Sequence, residues 1–189
     1  MTRGLQLPPE QRGRTLQGPE YRVVCANLKD PNFVRGLSTN ANYSSDDTSY
    51  VLDGLAMWNG QTSVSFTQTS NLQDADIIVL FSDEISENRG GLCFFPEYGL
   101  PSLIQLAMNE KAKKKQYWPM VCKVTAAHEF GHAFGLDHLG KGDIMNPGVE
   151  NIPDDPGEIT KINLSINDRT ALNKIYTTPP GSWMGRPPK

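Results

Sequence analysis

The chain has 189 residues and three histidines, and all three histidines fall within eleven positions, His128-Glu-Phe-Gly-His132-Ala-Phe-Gly-Leu-Asp-His138. No other feature restricts the fold so tightly. His128 and His132 are four apart, so on a helix they stand one turn apart on one face. Two imidazole nitrogens at that spacing can reach a single metal ion. Glu129 directly follows His128 and points about 100° around the helix. That direction is poor for a third ligand but suits a hydrogen bond to a water beside the metal. A straight helix would carry His138 about 15 Å along the axis from His128, out of reach. The chain must therefore turn sharply between His132 and His138. Gly135 is the residue for that turn, because it can end a helix in the left-handed conformation without a Cβ penalty.

Three neutral imidazoles leave a zinc ion with its double charge and one open position, the mark of a catalytic site. An all-histidine set also favours zinc over magnesium or calcium, which prefer oxygen ligands. Water at such a position ionises near a pKa of about 7. Glu129 is then the expected general base, taking the water proton and passing it to the leaving amine. The chemistry that follows is peptide-bond hydrolysis without a covalent intermediate. An isolated His-Glu-x-x-His is a weak signal; here five residues meet one geometric requirement together.

The length fits one domain, built as two lobes, with enough chain for a substantial core. A net charge of -3, from 18 basic and 21 acidic residues, argues against nucleic-acid or membrane-surface binding. No apolar run approaches the roughly 20 residues of a membrane span. Residues 1–20 are polar and rich in Pro, Gly and Arg, without the apolar stretch of a secretory signal. A removed signal, another export route and no export all fit them. Cys25, Cys93 and Cys122 allow at most one internal disulfide and leave one thiol over. They show no C-x-x-C spacing, so a cysteine zinc site is not expected.

Along the chain, residues 1–19 read as a flexible tail and 178–189 as a Pro-rich tail. Residues 21–27 (YRVVCAN) and 63–68 (SVSFTQ) read as strands, and 75–83 (ADIIVLFSD) as a buried central strand. A helix is expected around Val51, Leu55 and Trp58, capped by Ser44 or Ser45, with Asp46 and Asp47 in its first turn and Asn59-Gly60 at its end. Leu92 to Phe95, followed by Pro96, suits an edge strand. Residues 103–109 (LIQLAMN) fit a strand or a helical turn equally. Residues 110–118 (EKAKKKQYW) read as a solvated loop. Val121 to Phe134 is helical, and a last helix, capped by Ser165 with Asp168 in its first turn, carries Ala171, Leu172 and Ile175 on one face.

The pattern H-E-x-x-H-x-x-G-x-x-H, followed by Met145 in the turn GDIMNPG, is the metzincin signature. Within that group AAHEFGHAFGLDH most resembles the matrixins, the matrix metalloproteinase family. VLDGLAMWNGQTSVSFTQ, DADIIVLF, GLCFFPEYG and LSINDRTALNKIY are similar to the family's first helix, strands, edge strand and last helix. The resemblance implies an α+β metzincin fold. It has a twisted, mostly parallel sheet of about five strands with an antiparallel edge strand, a first helix, an active-site helix and a C-terminal helix. Residues 20–177 would form one catalytic domain, its upper lobe ending near 135. The implied activity is a zinc endopeptidase with His128, His132 and His138 as ligands and Glu129 as base. Its substrate would be a protein or peptide held extended, paired by main-chain bonds to the edge strand at Leu92 and Cys93.

The same resemblance places Val124, Pro147 and Val149 on the pocket that takes the residue after the cut, implying a hydrophobic preference there. Met145 becomes the floor beneath the metal, with Asp168 bracing its turn. A monomer, secreted or exported, is expected. This chain departs from the family pattern in carrying Leu139 after the third histidine, Val149 for a pocket tyrosine and Asn167 for a first helix aspartate. No histidine remains for the family's structural zinc, so one catalytic zinc is expected, with calcium possible but not indicated. Cys25 reads as core, and Cys93 could bridge Cys122. Two other readings stay open: a metzincin-like module that binds protein without cutting it, and a secreted toxin or effector with a very narrow substrate range.

Overall fold

The computed structural model describes residues 20–25, 45–59, 65–69, 75–82, 90–94, 101–107, 117–140, 144–148 and 162–177. Both tails, the lysine-rich segment before Tyr117, Gly60 and Val149 lie outside them. The described elements run β1 (Glu20–Cys25), α1 (Ser45–Ala56), β2 (Ser65–Gln68), β3 (Ile77–Ser82), β4 (Gly91–Phe94), β5 (Ser102–Ala107), α2 (Trp118–Ala133) and α3 (Ile166–Thr177). The organisation is α+β, with a small mixed sheet and three helices among the described residues.

The sheet order is β2-β1-β3-β5-β4. Pairs β1–β2, β1–β3 and β3–β5 are parallel, and β4 joins β5 antiparallel, with Cys93 opposite Ile104. β3 shows why a continuous apolar run belongs at the centre. Ile77, Val79 and Phe81 enter the core shared with the helices, and the alternate Ile78 and Leu80 on the other face are buried too. Residues 103–107 of the segment that fitted strand or helical turn belong to β5. Its backbone pairs along the whole of β3, and Ile104 and Leu106 face the core. Fully burying a side chain such as Leu106 or Phe130 contributes about 1.5–3 kcal/mol relative to leaving it exposed.

α1 packs on α2, which in turn packs on β4 and β5. Two indoles tether the helices. Trp118 Nε1–H donates to Asp47 Oδ1 at 2.5 Å, start to start, and Trp58 Nε1–H donates to the Ala127 carbonyl at 3.0 Å beyond the end of α1. The two helices therefore run in the same direction. α1 stops at Ala56, short of the expected Asn59, because the bond from Trp58 N to the Leu55 carbonyl tightens its last turn and swings the indole onto α2. Asp47 does more than complement a helix end: it is buried and holds the neighbouring helix. α2 begins three residues earlier than its apolar pattern suggests. Pro119 in its first turn needs no N–H partner there, so Trp118 belongs to the helix rather than to the solvated loop.

Candidate active site

α2 carries His128, Glu129 and His132 and ends in a left-handed turn. Gly135 has φ 98°. Its N–H donates to the His132 carbonyl and the Leu136 N–H donates to the Gly131 carbonyl, both at 2.9 Å. That double bond pattern is a Schellman cap, which satisfies the last carbonyls of the helix and reverses the chain. Leu136 is buried behind the turn. Phe134 stacks on Phe66 with ring centroids 4.2 Å apart and meets Trp58 edge-on, which anchors the turn to the core.

The reversal brings His138 back to the helix. The three Nε2 atoms stand 3.1 Å (His128–His132), 3.2 Å (His128–His138) and 3.3 Å (His132–His138) apart. Ligands about 2.0–2.1 Å from a tetrahedral zinc stand about 3.3–3.4 Å from one another, so the triangle is only slightly tight for one ion. The Nδ1 atoms decide what these contacts are. His128 Nδ1–H donates to the Ile144 carbonyl at 2.7 Å, and His132 Nδ1–H donates to the Leu136 carbonyl at 2.8 Å. A carbonyl can only accept, so both protons sit on Nδ1 and both Nε2 atoms present lone pairs. Lone pairs aimed at one point repel unless a cation lies between them. The donor set and its spacing fit a zinc ion.

Burial keeps the His128 and His132 rings neutral. Desolvation lowers His128 from 6.5 to about 4, against the opposing pull of the Ile144 carbonyl. Desolvation, then the neighbouring His128, lowers His132 to about 3. Neutral imidazole is the metal-binding form. His128 is wholly buried, His132 partly, and His138 exposed, so the group opens to solvent on the His138 side.

Met145 is wholly buried against the helix backbone. A Cβ on Gly131 would collide with its sulfur, so the glycine between His128 and His132 makes room for the methionine. Asp168, at the start of α3 and also fully buried, accepts from Ile144 N at 2.9 Å, Met145 N at 3.2 Å and Ser165 N at 2.9 Å. Ser165 Oγ caps α3, accepting from Asn167 N and Asp168 N. Leu139 N–H donates to the Met145 carbonyl at 2.7 Å, joining the two turns.

Glu129, next to His128 in the helix, is buried with its side chain against the Gly91 end of β4. Val124 is buried in α2, Pro147 is exposed after the methionine turn, and Leu92 is half-buried on β4. Cys93 and Cys122 are buried thiols that form no disulfide with each other and have different neighbours: Ser102 Oγ lies 3.5 Å from Cys93, and the Asp47 carbonyl 4.0 Å from Cys122. The side chain of Cys25 lies outside the described residues. Sequence reasoning passed over Gly91, Gly131 and the Trp58 and Trp118 tethers, because a glycine's missing Cβ and an indole's distant partner leave no local pattern.

A matrixin profile matches residues 36–177. Matrix metalloproteinase-B of Caenorhabditis elegans is 25% identical over 176 residues, covering 70% of this chain and 32% of the relative. The chain thus spans about a third of that relative's length. Among the described residues no helix is long and apolar enough to cross a membrane. With the profile covering well over half of its length, through the histidine group and the last helix, this chain belongs to the matrixin family of peptidases.

Proposed function

We propose that the chain is a zinc-dependent endopeptidase in which residues 20–177 form one catalytic domain. The carrying observation is the convergence of three Nε2 atoms, two with their lone pairs fixed inward by backbone carbonyls. His128, His132 and His138 would hold the ion. When bound, zinc supplies Lewis acidity towards a carbonyl and makes water at its open position acidic, with a pKa of about 7.

The protein's own groups do the rest. Glu129 accepts a proton from the attacking water at its carboxylate and delivers it to the leaving amine. Among the described residues β4 is the last strand of the sheet, bonded on one side to β5, and its other side would offer main-chain groups to an extended peptide. Leu92 and Cys93 lie on that strand. Val124 and Pro147 line the pocket for a hydrophobic residue on the C-terminal side of the cut. Buried Asp168 and Met145 keep the lower turn fixed beneath the ligands, as their bonds and packing support.

Purified protein should carry about one zinc per chain and cut a proteome-derived peptide library ahead of hydrophobic residues. Glu129→Ala should retain the zinc and lose cleavage by a factor of about 100 or more. A Glu129→Ala protein that still cuts at the wild-type rate removes Glu129 from the mechanism. Zinc binding without any cleavage by the wild type removes the peptidase reading.

A further inference from the structure

Glu129 is only 1% exposed, and its side chain lies on β4. A Cβ added to Gly91 would stand 2.7 Å from Glu129 Cγ, 2.7 Å from Oε1 and 3.0 Å from Cδ. Carbon atoms in contact settle at about 3.5–4.0 Å, so no side chain fits at residue 91 while Glu129 keeps its place. Cys93, two positions on and therefore on the same strand face, is the second neighbour. Burial, and then the charge of Glu129, push its thiol far above the usual range. The strand itself is pinned here: Ser102 Oγ–H donates to the Phe94 carbonyl at 2.8 Å, and Gly91 pairs with Leu106 of β5.

We propose that Gly91 is a positioning residue whose missing side chain fixes the Glu129 carboxylate between α2 and the edge strand. The proposal rests on reading Glu129 as the base. A Cβ at this position displaces a flexible carboxylate before it displaces a paired strand. The harm therefore falls on proton transfer rather than on metal binding. The strand offered to the substrate and the seat of the base are one element, so alignment of a peptide on β4 is alignment against Glu129.

The test compares wild type, Gly91→Ala, Glu129→Ala, the double variant and Gly140→Ala. Gly140 is the control, because a Cβ there meets nothing within 4 Å. Gly91→Ala should keep wild-type zinc content and KM and lose kcat by about 10- to 100-fold, the scale of a misplaced catalytic group. Gly140→Ala should keep kcat. Thermal unfolding reads the same contact without activity. Gly91→Ala should lower the Tm of wild type and leave the Tm of Glu129→Ala unchanged, where the space is vacant.

Unchanged kcat in Gly91→Ala, or an equal Tm loss in both backgrounds, overturns the proposal. Folding of the double variant but not of Gly91→Ala supports it, and failure of both to fold overturns it. A wild type that binds zinc but cuts nothing defeats the peptidase reading alone, and the Tm comparison still decides Gly91.

Discussion

Asp168→Asn changes one atom's chemistry and should be felt at the metal. The native carboxylate is fully buried and accepts three backbone N–H groups, from Ile144 and Ser165 at Oδ2 and from Met145 at Oδ1. An amide has one acceptor oxygen. Turned its better way, it keeps the Ile144 and Ser165 bonds and sets its NH2 against the Met145 N–H, donor facing donor. Hydrogen bonds to charged groups are worth about 1.5–3 kcal/mol each, and a stranded buried donor costs about 1–3 kcal/mol. Losing one bond and weakening two gives a cost of about 2–4 kcal/mol, a large part of a typical stability of about 5–15 kcal/mol. At about 2–4 °C per kcal/mol for a chain of this size, Tm should fall by roughly 5–15 °C.

The same substitution reaches His128. Ile144 donates its N–H to Asp168 and offers its carbonyl to His128 Nδ1–H, so a loosened turn loosens the imidazole. Changes to a ligand's supporting bond typically cost about 10–100-fold in metal affinity. Competition with a chromogenic chelator, beside calorimetric unfolding, measures both effects. An Asp168→Asn protein with wild-type Tm and zinc affinity would refute the bracing argument.

Gly135→Ala should also lower both quantities. A φ of 98° strains any L-residue, at about 1–2 kcal/mol for left-handed backbone, and the turn delivers His138; equal Tm and chelator competition to wild type would count against it. Zinc-free protein should lose stability as pH falls from about 6.5 towards 4. The unfolded chain takes up protons on His128 and His132 near 6.5, whereas the folded chain does so only at about 4 and about 3, so acid favours unfolding. Tm of the chelated protein across that range checks the slope, and a slope unchanged by His128→Gln would exclude this cause.

The convergence of the three histidines was legible because its requirement is local. A spacing of four on a helix, a glycine for the turn and a third imidazole are all written within eleven positions. α2 was found in its apolar middle and missed at its start, where Trp118 and Pro119 follow a lysine-rich stretch and mimic a loop. Residues 103–109 were undecided because Leu-Ile-Gln-Leu-Ala-Met-Asn satisfies either period, and only pairing with β3 settles 103–107. The tethers of Trp58 and Trp118 span 69 and 71 positions, and no local window contains them. Gly91 belongs to the same class: its meaning is the space that Glu129 occupies from another element.

The acceptors that hold the two helix imidazoles are the main-chain carbonyls of Ile144 and Leu136. Every amino acid carries that carbonyl, so point replacements at those two positions cannot delete the acceptor. What mutation can alter is the path of the backbone, and that path hangs on Gly135 and Asp168. Orientation of the two imidazoles is therefore insulated from drift at the residues that supply it and exposed at two positions that touch no imidazole. In a mutational scan read out by metal retention, sensitivity should concentrate at those remote positions and leave Ile144 and Leu136 tolerant of apolar exchange.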